Sequence, residues 1–492
     1  MSMTKTKWGA VVALLVLLAA SPAVAAEDLE FPFDEWLAVF MQGNRVGYIH
    51  MEAALDEDII TSSTVTQFKL RRFGTDVSIQ MEAAFRERTD GTPLSFTMTQ
   101  DTGGMGLRTE GTVRDGMLHL VTVQGERRRE RNVKWPEGAL TPFAVERQMR
   151  GLELEPGVEF TVKAFSPDVS MTKAVETTIK VIGPDTVDVL GIEHQAVKVE
   201  TQMSALPGIT VTTWLDNSGN VLVITMPIMD MRAVRCTKQY ALAEIKPAEL
   251  AGTIMVKPDK RIKSPQRLKR LVLRLSMEDS SPFAVTLASE GHQRLVKRDE
   301  QSATIEISLD AAASKLDDPE PYLARSTYID CEDKRIVAVA ADAAGNESGP
   351  WRKAQLLRSA VYDLVEEKSF AVAMATASEV VKTKEGDCTE HAVLLAAMAR
   401  AEEIPTRVTT GLMYVQGQFG YHMWTEVYVD GAWRGLDAVL PGRDFDAAHI
   451  RLATSAFGDD DSMLDLAAFA VVFGNLKIEV VEKEYAKRAR NE

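Results

Sequence analysis

The pattern of residues 27–245 constrains the fold more than any other feature of the chain. Short stretches alternate apolar and polar residues, for example 96–99, 158–162 and 197–199. An alternation with a period of two is typical of half-buried strands. Turn signals separate these stretches: Asp90-Gly91, Asp115-Gly116, Pro156-Gly157, Gly183-Pro184-Asp185 and Asn217-Ser218-Gly219-Asn220. The pattern predicts an antiparallel β domain over residues 27–245, built as a sandwich or an open barrel.

The first 25 residues have the features of a secretory signal. Lys5 and Lys7 precede an apolar run over residues 8–20, and Ala23-Val24-Ala25 offers the small-x-small pattern that signal peptidase cleaves. The run is too short for a membrane span, and no second apolar stretch of spanning length follows. We therefore expect residues 1–25 to be a signal peptide, and the mature protein to be periplasmic or secreted, without a membrane span.

The charge of the chain argues against one class of partner. The formal net charge is −15 over 492 residues, whereas binding to nucleic acid needs a basic surface. A basic cluster within residues 257–270 surrounds Pro258 and Pro265 and indicates a domain boundary. We expect a small β module over residues 250–348, with strands at 303–307 and 336–339.

The chain contains three cysteines, Cys236, Cys331 and Cys388. Three is too few for a disulfide framework, and no Cys-x-x-Cys pair offers a zinc site. In an oxidising compartment we expect Cys236 and Cys331, which both lie in β-like stretches, to form a disulfide. Cys388 is then an unpaired thiol in an exported protein, which indicates a chemical role.

From about residue 352 the pattern changes to helices followed by strands. Residues 361–381 have a helical pattern that residues 384–387 interrupt, and a second, apolar helix starts at Cys388. Strands follow over residues 407–410, 421–429 and 432–439, the last two joined by an Asp430-Gly431 hairpin turn. Residues 352–492 are therefore predicted to form an α+β domain behind the antiparallel β domains.

Cys388 occupies the first position of the second helix. Gly386 permits a sharp turn before it, and Asp387 is a good N-cap. At this position the helix dipole and the unpaired backbone N–H groups favour the thiolate over the thiol. We expect the same N–H groups to stabilise an oxyanion when the thiolate attacks a carbonyl. The alternative is a small apolar residue at the start of a buried helix, which is common for free cysteine.

The hairpin brings a histidine close to an aspartate. With Asp430-Gly431 as its loop, His422 lies on the same sheet face as Asp437, a diagonal neighbour at about 7–8 Å between Cα atoms. Trp424 lies on that face too, directly opposite Asp437, where its ring can shield the pair from water. A cysteine at a helix N-terminus and a His–Asp pair are the nucleophile, base and orienting residue of a thiol triad.

Four ordered blocks of sequence resemble the core of the transglutaminase-like family. They are Gly386-Asp387-Cys388-Thr389-Glu390-His391-Ala392, Ile404-Pro405-Thr406-Arg407-Val408, Tyr421-His422-Met423-Trp424-Thr425-Glu426-Val427-Tyr428, and residues 433–437. The resemblance covers about residues 360–482 and continues through His449-Ile450 and Leu476-Lys477-Ile478-Glu479-Val480. Cys388, His422 and Asp437 match the family's triad one for one.

The resemblance implies a papain-like domain, in which a helix packs on an antiparallel sheet. It also implies catalysis through a cysteine thioester, with no metal or organic cofactor. The family contains transglutaminases, cysteine peptidases, amidases and members that have lost activity. We therefore expect an exported enzyme that hydrolyses amide bonds or transfers their acyl groups. The alternative is a silent domain in an envelope binding or scaffold protein.

Two other interpretations compete for the same residues. His391, three residues after Cys388, could approach the thiol from the same helix, although a structural polar contact is favoured. A zinc ion could gather Cys388, His391, His422 and Asp437, although the Cys-x-x-His spacing is not a zinc signature. His449 belongs to no such constellation and is expected to be structural.

The length of the upstream β structure favours a large substrate. A protein, a peptide or peptidoglycan held by these domains fits such a chain better than a small amide. The loop Gly417-Gln418-Phe419-Gly420 precedes the histidine strand, and its glycines allow a close approach of a substrate backbone. We expect Phe419 of this loop and Trp424 of the strand to line the substrate cleft.

Overall fold

The computed structural model describes residues 31–72, 75–102, 106–125, 127–150, 154–206, 208–245, 247–249, 255–278, 283, 285–366, 375–459 and 474–486. The predicted signal peptide, residues 1–25, lies outside the described residues. The chain divides into two compact units between residues 250 and 251. Among the described helices, none is long and apolar enough to cross a membrane.

The N-terminal unit is a 15-stranded sheet. Its strands are β1 (Phe33–Met41), β2 (Asn44–Asp56), β3 (Ile59–Arg72), β4 (Thr75–Arg88), β5 (Pro93–Thr102), β6 (Gly106–Arg114), β7 (Met117–Gln124), β8 (Arg127–Lys134), β9 (Glu159–Ala164), β10 (Val175–Val189), β11 (Ile192–Met203), β12 (Thr210–Leu215), β13 (Val221–Met226), β14 (Met231–Arg235) and β15 (Ala248–Glu249). The strand order is β8-β7-β6-β5-β4-β3-β2-β1-β14-β13-β12-β11-β10-β9, and β15 pairs in parallel with β3. Two helices, α1 (Pro142–Arg150) and α2 (Lys238–Leu242), accompany the sheet.

Alternation along the strands explains this sheet. In β8 every second residue is exposed, and in β10 buried and outward-facing residues alternate over most of the strand. The inward-facing side chains of several strands and a loop form one apolar cluster, which includes Ala83, Phe85, Phe96, Met98, Leu118, Leu120, Phe165 and Met171. The antiparallel β prediction for this part of the chain is confirmed, because consecutive strands along the path pair antiparallel.

One predicted turn is wrong. Gly183-Pro184-Asp185 lies inside β10, where the register against β11 shifts. Gly183 adopts a φ of +129°, a conformation that side chains disfavour. A β-bulge accommodates glycine and proline, which a regular ladder excludes. The same residue types therefore mark an irregularity in a long strand instead of its end.

The C-terminal unit combines two antiparallel sheets with helices. Its strands are β16 (Met255–Val256), β17 (Leu268–Met277), β18 (Gly291–Arg298), β19 (Ser302–Ala312), β20 (Thr406–Val415), β21 (Gln418–Val429), β22 (Ala432–Leu436), β23 (His449–Ser455) and β24 (Leu476–Tyr485). One sheet has the order β16-β21-β20-β23, with β22 paired to β21, and the other has the order β18-β19-β17-β24. The helices are α3 (Glu320–Leu323), α4 (Lys334–Ala344), α5 (Pro350–Leu364), α6 (Ala377–Thr383) and α7 (Cys388–Ala401).

Helix α7 lies at the centre of this unit. Its residues from Cys388 to Arg400 are all buried, as expected for a helix that is apolar around its whole circumference. Helices α4, α5 and α6 contact it, and so do β20 and β21. The Thr425 hydroxyl of β21 donates to the Ala392 carbonyl of α7 at 3.0 Å. A helix packed on an antiparallel sheet is the arrangement that the resemblance implies.

The segment 250–348 does not form a module of its own. Strand β17 pairs with β24 from the end of the chain, and β16 pairs with β21. Residues 336–339, predicted as a strand, lie in helix α4, whose buried residues Ile336, Ala340 and Ala344 recur every four positions. A short apolar run fits a strand and a buried helix equally well, and here the wider period of four marks the helix.

Two further element predictions need correction. The helix predicted over residues 361–381 is wrong, because α5 begins at Pro350 and ends at Leu364, and α6 begins only at Ala377. Between them the structure describes residues 365, 366, 375 and 376, which are not helical. The strand predicted over residues 432–439 ends at Leu436.

A buried charge network joins the two sheets of the C-terminal unit. Glu426 of β21 accepts hydrogen bonds from Arg407 at 2.6 and 2.9 Å and from Arg451 at 3.3 Å. Burial opposes the charge of Glu426, but the two guanidinium groups outweigh it and lower its pKa to about 2. Arg407 also donates to Glu290 at 2.7 Å, and Gln293 of β18 exchanges two hydrogen bonds of 2.9 Å with the Arg451 backbone. Removing one member would leave a buried charge without its partner.

The predicted disulfide is absent. None of Cys236, Cys331 and Cys388 forms a disulfide. Cys236 follows β14 in the N-terminal unit, whereas Cys331 is buried just before α4 in the other unit, with its sulfur 4.0 Å from the Leu323 carbonyl oxygen. Cys331 lies in a turn before helix α4 and not in a strand, so the premise of the pairing fails. The inference that Cys388 has a chemical role therefore rests on its position at the start of a helix, and not on a disulfide between the other two cysteines.

Candidate active site

Cys388 is the first residue of helix α7, as the sequence predicts. Asp387 is the N-cap, and its carboxylate accepts from the Thr389 N–H at 2.9 Å. The Glu390 carboxylate reaches back to the Asp387 N–H at 2.9 Å and completes a capping box. Gly386 is required here, since a Cβ on it would lie 2.3 Å from the Cβ of Glu390. Local sequence alone therefore fixes where the thiol stands.

The same cap changes one expectation about the site. The Asp387 side chain accepts from the backbone N–H of Thr389 and from that of the third helical residue, Glu390. These two N–H groups are therefore engaged, and the prediction that first-turn N–H groups meet an oxyanion is wrong for them. The His391 ring donates from Nδ1 to the Asp387 carbonyl oxygen, 2.6 Å away. His391 thus makes the structural contact that the sequence favours.

His422 and Asp437 meet in the predicted way, with one difference. Strands β21 and β22 pair Val429 with Ala432 and Tyr428 with Trp433, which is the predicted register. Strand β22 ends one residue before Asp437, which begins a turn in which its carboxylate accepts from the Val439 N–H at 2.9 Å. His422 Nε2 lies 2.8 Å from Asp437 Oδ2. The carboxylate thus reaches the imidazole from the turn and not from within the strand.

The His422 ring also contacts the thiol of Cys388 through a side-chain hydrogen bond. Nε2 faces Asp437, so Nδ1 is the ring nitrogen left for the sulfur. Burial would lower the pKa of His422, but Asp437 and Cys388 outweigh it and raise this pKa to about 9. The exposed fractions of Cys388, His422 and Asp437 are 5%, 2% and 1%. The three side chains form one buried row, in the order thiol, imidazole and carboxylate.

Asp437 is held by its backbone as well as by its side chain. Its N–H donates to the Asp444 carbonyl at 2.6 Å, and its carbonyl accepts from Arg358 Nε of helix α5 at 3.1 Å. Burial would raise the pKa of Asp437, yet His422 and His449 outweigh burial and hold this pKa well below its ordinary value. Asp437 is therefore an ionised carboxylate in a fixed position.

A second histidine, which the sequence interpretation treats as structural, reaches the same carboxylate. His449 Nε2 lies 3.2 Å from Asp437 Oδ2, and its Nδ1 lies 2.9 Å from Asp446 Oδ1. Asp446 in turn pairs with Arg443 at 3.0 Å. The sequence signal for His449 is its place in the segment His449-Ile450 that resembles the family. Spacing could not reveal it, because β23 is brought to Asp437 only by the sheet.

Three side chains of types that can ligate a metal come together among the described residues: His422, Asp437 and His449, whose nitrogen and oxygen atoms lie within 4.8 Å of one another. These residue types bind zinc and iron, but the set differs from the predicted one, which contains Cys388 and His391. A cation bound to His422 Nε2 and Asp437 Oδ2 would replace the hydrogen bond between them. A metal at this place would therefore inhibit a thiol triad instead of assisting it.

The structure gives the two predicted cleft residues different positions. Trp424 is buried; its ring stacks on His422 with 6.2 Å between centroids and meets His449 edge-on at 5.3 Å. It therefore covers the histidines, as a shield against water would. Phe419 is fully buried within β21 and packs against Tyr414. The expectation that Phe419 lines a cleft is wrong, because residues 418–420 belong to the strand and only Gln416-Gly417 form the turn.

The fold and the site together define a class of protein. It is an α+β domain with a buried thiol–imidazole–carboxylate row, whose thiol begins a helix that packs on an antiparallel sheet. Residues 337–438 match the model of the transglutaminase-like superfamily. The C-terminal unit is therefore a transglutaminase-like domain, which follows an antiparallel β domain. The match begins within α4, earlier than the resemblance at about residue 360.

Several solved structures are similar to parts of the chain. A candidate cysteine protease from Cytophaga hutchinsonii has 18% identity and a TM-score of 0.31, and the match covers 44% of this chain and 89% of that one. The β-barrel-like DUF1849 protein from Brucella abortus has 14% identity and a TM-score of 0.31, covering 42% of this chain and 96% of that one. The periplasmic domain of TgpA from Pseudomonas aeruginosa, bound to ethylmercury, has 16% identity and a TM-score of 0.24, covering 37% of this chain and 82% of that one. No curated protein matches the chain by sequence.

Proposed function

We propose that this protein is an exported thiol enzyme that hydrolyses amide bonds or transfers their acyl groups. The observation that carries the proposal is the hydrogen-bonded row of Cys388, His422 and Asp437. A thiol at a helix N-terminus, next to a histidine that a carboxylate orients, is the arrangement that activates a sulfur nucleophile. The predicted signal peptide supports export, with a periplasmic or secreted location.

The proposed reaction has two steps. The Cys388 sulfur attacks the amide carbonyl carbon while His422 takes the thiol proton, and His422 then gives that proton to the leaving nitrogen as the C–N bond breaks. Water or an amine next attacks the thioester, passes its proton to His422 and releases the thiol as the S–C bond breaks. Asp437 keeps the imidazole in the required tautomer and orientation.

A protein, a peptide or peptidoglycan is the proposed substrate. In hydrolysis the protein is a peptidase or an amidase, and in transfer to an amine it is a transglutaminase. The 15-stranded N-terminal sheet is larger than the handling of a small amide requires, and its size favours a macromolecular substrate that the sheet could hold. None of these steps requires an organic cofactor or a metal ion.

A silent domain in a binding or scaffold protein is the second candidate, and the burial of the site favours it. A thiol with 5% exposure and a base with 2% exposure leave little room for a substrate in this conformation. A silent domain predicts a Cys388 no more reactive than an ordinary buried thiol.

A peptide bearing a thiol-reactive vinyl sulfone separates the two candidates. We expect it to label Cys388 much faster than it labels free cysteine, with mass spectrometry locating the adduct. His422→Ala should remove this advantage, and Cys388→Ala should abolish both the labelling and the hydrolysis of a fluorogenic peptide library. Cys331→Ala is the matched control, since Cys331 is a second buried free thiol of the same unit. A Cys388 that reacts no faster than free cysteine would favour the silent domain.

A further inference from the structure

His449 stands between acceptors on both sides of its ring. Nδ1 lies 2.9 Å from the Asp446 carboxylate and 3.0 Å from the Asp446 carbonyl, so this nitrogen must carry a proton. Nε2 lies 3.2 Å from Asp437 Oδ2, which is also an acceptor when the carboxylate is ionised. A neutral imidazole can donate at only one nitrogen, whereas an imidazolium donates at both. The surroundings of His449 therefore favour its charged form.

Asp437 Oδ2 consequently serves two histidines. The same oxygen lies 2.8 Å from His422 Nε2 and 3.2 Å from His449 Nε2, and the two rings are 6.0 Å apart between centroids. A positive charge at His449 offsets part of the negative charge that Asp437 places beside His422. His422 is then a weaker base than a histidine with an undivided carboxylate, and so a better donor to the leaving group.

We propose that His449 is a positively charged positioning residue, which shares the Asp437 carboxylate with His422 and thereby tunes the basicity of the catalytic histidine. The proposal rests on the proposed thiol function, because it assigns His449 a role in the same triad. It assigns no contact between His449 and the substrate.

Other titratable and charged groups interact with these two histidines or with their carboxylate partners Asp437 and Asp446. They come from helix α5, helix α7, strand β18 and the segment before β23: Arg358, Cys388, His292, Arg443 and Asp446. Burial would lower the pKa of His449, but Asp446 and Asp437 outweigh it and raise this pKa to about 9. The raised value means that the charge is present through neutral pH and is lost as the pH rises through about 9.

The pH dependence of Cys388 alkylation by iodoacetamide tests the tuning without any substrate. If Cys388 and His422 form a thiolate–imidazolium pair, the rate of alkylation rises twice as the pH increases. It rises first when the pair forms and again when His422 loses its proton. His449→Gln removes the positive charge and leaves both carboxylates to act on His422, so the second rise should move to higher pH. At the 6.0 Å ring separation we expect a shift of about one to two pH units. His119→Gln, at an exposed histidine of strand β7 in the N-terminal unit that contacts Asn132, should leave the profile in place.

A measurement on the unaltered protein covers the case in which His449→Gln does not fold. In the full-length chain with isotope-labelled histidines, the ring resonances of His449 should report an imidazolium at pH 7.5. A neutral His449 at that pH, or an upper step that His449→Gln leaves unmoved, would overturn the inference and leave the thiol triad standing. A wild-type profile with a single step near the pKa of an ordinary thiol would overturn the proposed function itself, and the tuning role with it.

Discussion

Asp437 is the residue through which the whole site is connected. It bonds to both histidines through one oxygen, to the Val439 N–H through the other, and to Asp444 and Arg358 through its backbone. An amide at this place keeps the shape but loses the charge, and its single acceptor oxygen cannot serve both the histidines and the Val439 N–H, which the two carboxylate oxygens share. Replacing Asp437 with an amide should therefore lower the rate of the proposed reaction more than it disturbs the fold.

Asp437→Asn is therefore expected to lower the rate of peptide hydrolysis by about 10²–10⁴-fold, with the circular dichroism spectrum unchanged. The reason is that His422 loses the acceptor that fixes its tautomer. Asp444→Asn is the matched control, because its carboxylate contacts Gln355 and its backbone carbonyl, which holds Asp437, is unaltered. A rate for Asp437→Asn close to that of the wild type would show that Asp437 has a local structural role only.

Among the elements, helix α7 determines where the thiol stands. Its capping box ties the first turn to Gly386 and Asp387, and Glu390 also accepts from the Ala375 N–H at 3.1 Å. Burial and the neighbouring Asp387 carboxylate raise the pKa of Glu390 to about 8. The start of α7 is thus packed on the preceding loop and has little freedom to shift.

Gly386→Ala should displace this first turn. The new methyl group would lie 2.3 Å from the Cβ of Glu390, so the cap must move. We expect a loss of about 1–3 kcal/mol in the free energy of unfolding and slower vinyl sulfone labelling of Cys388. Gly458→Ala is the control, since a Cβ there meets nothing within 4 Å and should change neither quantity. If the Gly386→Ala protein labelled Cys388 at the wild-type rate, the hypothesis that the capping box positions the thiol would be wrong.

For the molecule as a whole, the boundary of the transglutaminase-like unit lies near residue 251 and not near 352. The sheet of β17, β18 and β19 includes β24 from the end of the chain. Arg407 and Arg451 of the other sheet take Glu290, Gln293 and the backbone of residues 288 and 290 as partners. A fragment that begins at residue 352 loses all of these contacts.

Residues 251–492 expressed alone should fold cooperatively and label at Cys388 at the rate of the full chain. Residues 352–492 should fail to fold, because β24 would lose its neighbouring strand and the buried guanidinium groups would lose acceptors. Urea unfolding and the labelling rate of the two fragments, measured against the full chain, check this. A cooperative transition in the shorter fragment would show that the β17–β19 sheet is dispensable.

Local pattern alone was sufficient for several features of the protein. Alternating residues and turn pairs specify the antiparallel N-terminal sheet, because a period of two allows only a half-buried strand. The N-cap Asp387 places Cys388 at the first position of a helix, and Asp430-Gly431 sets the register that brings His422 towards Asp437. Each of these depends on residues close together in sequence, whose geometry the backbone itself determines.

Only the tertiary structure decided the rest, since it depends on contacts between residues far apart in the chain. The segment 336–339 becomes a helix because its apolar face packs on other helices, and Gly183-Pro184 becomes a bulge because β11 pairs across it. Cys236 and Cys331 lie in different units, which no count of cysteines reveals. His449 joins the site because pairing of β23 with β20 carries it to Asp437. Local sequence thus positions the thiol and its histidine, and long-range packing supplies the second histidine and the buried surroundings that tune them.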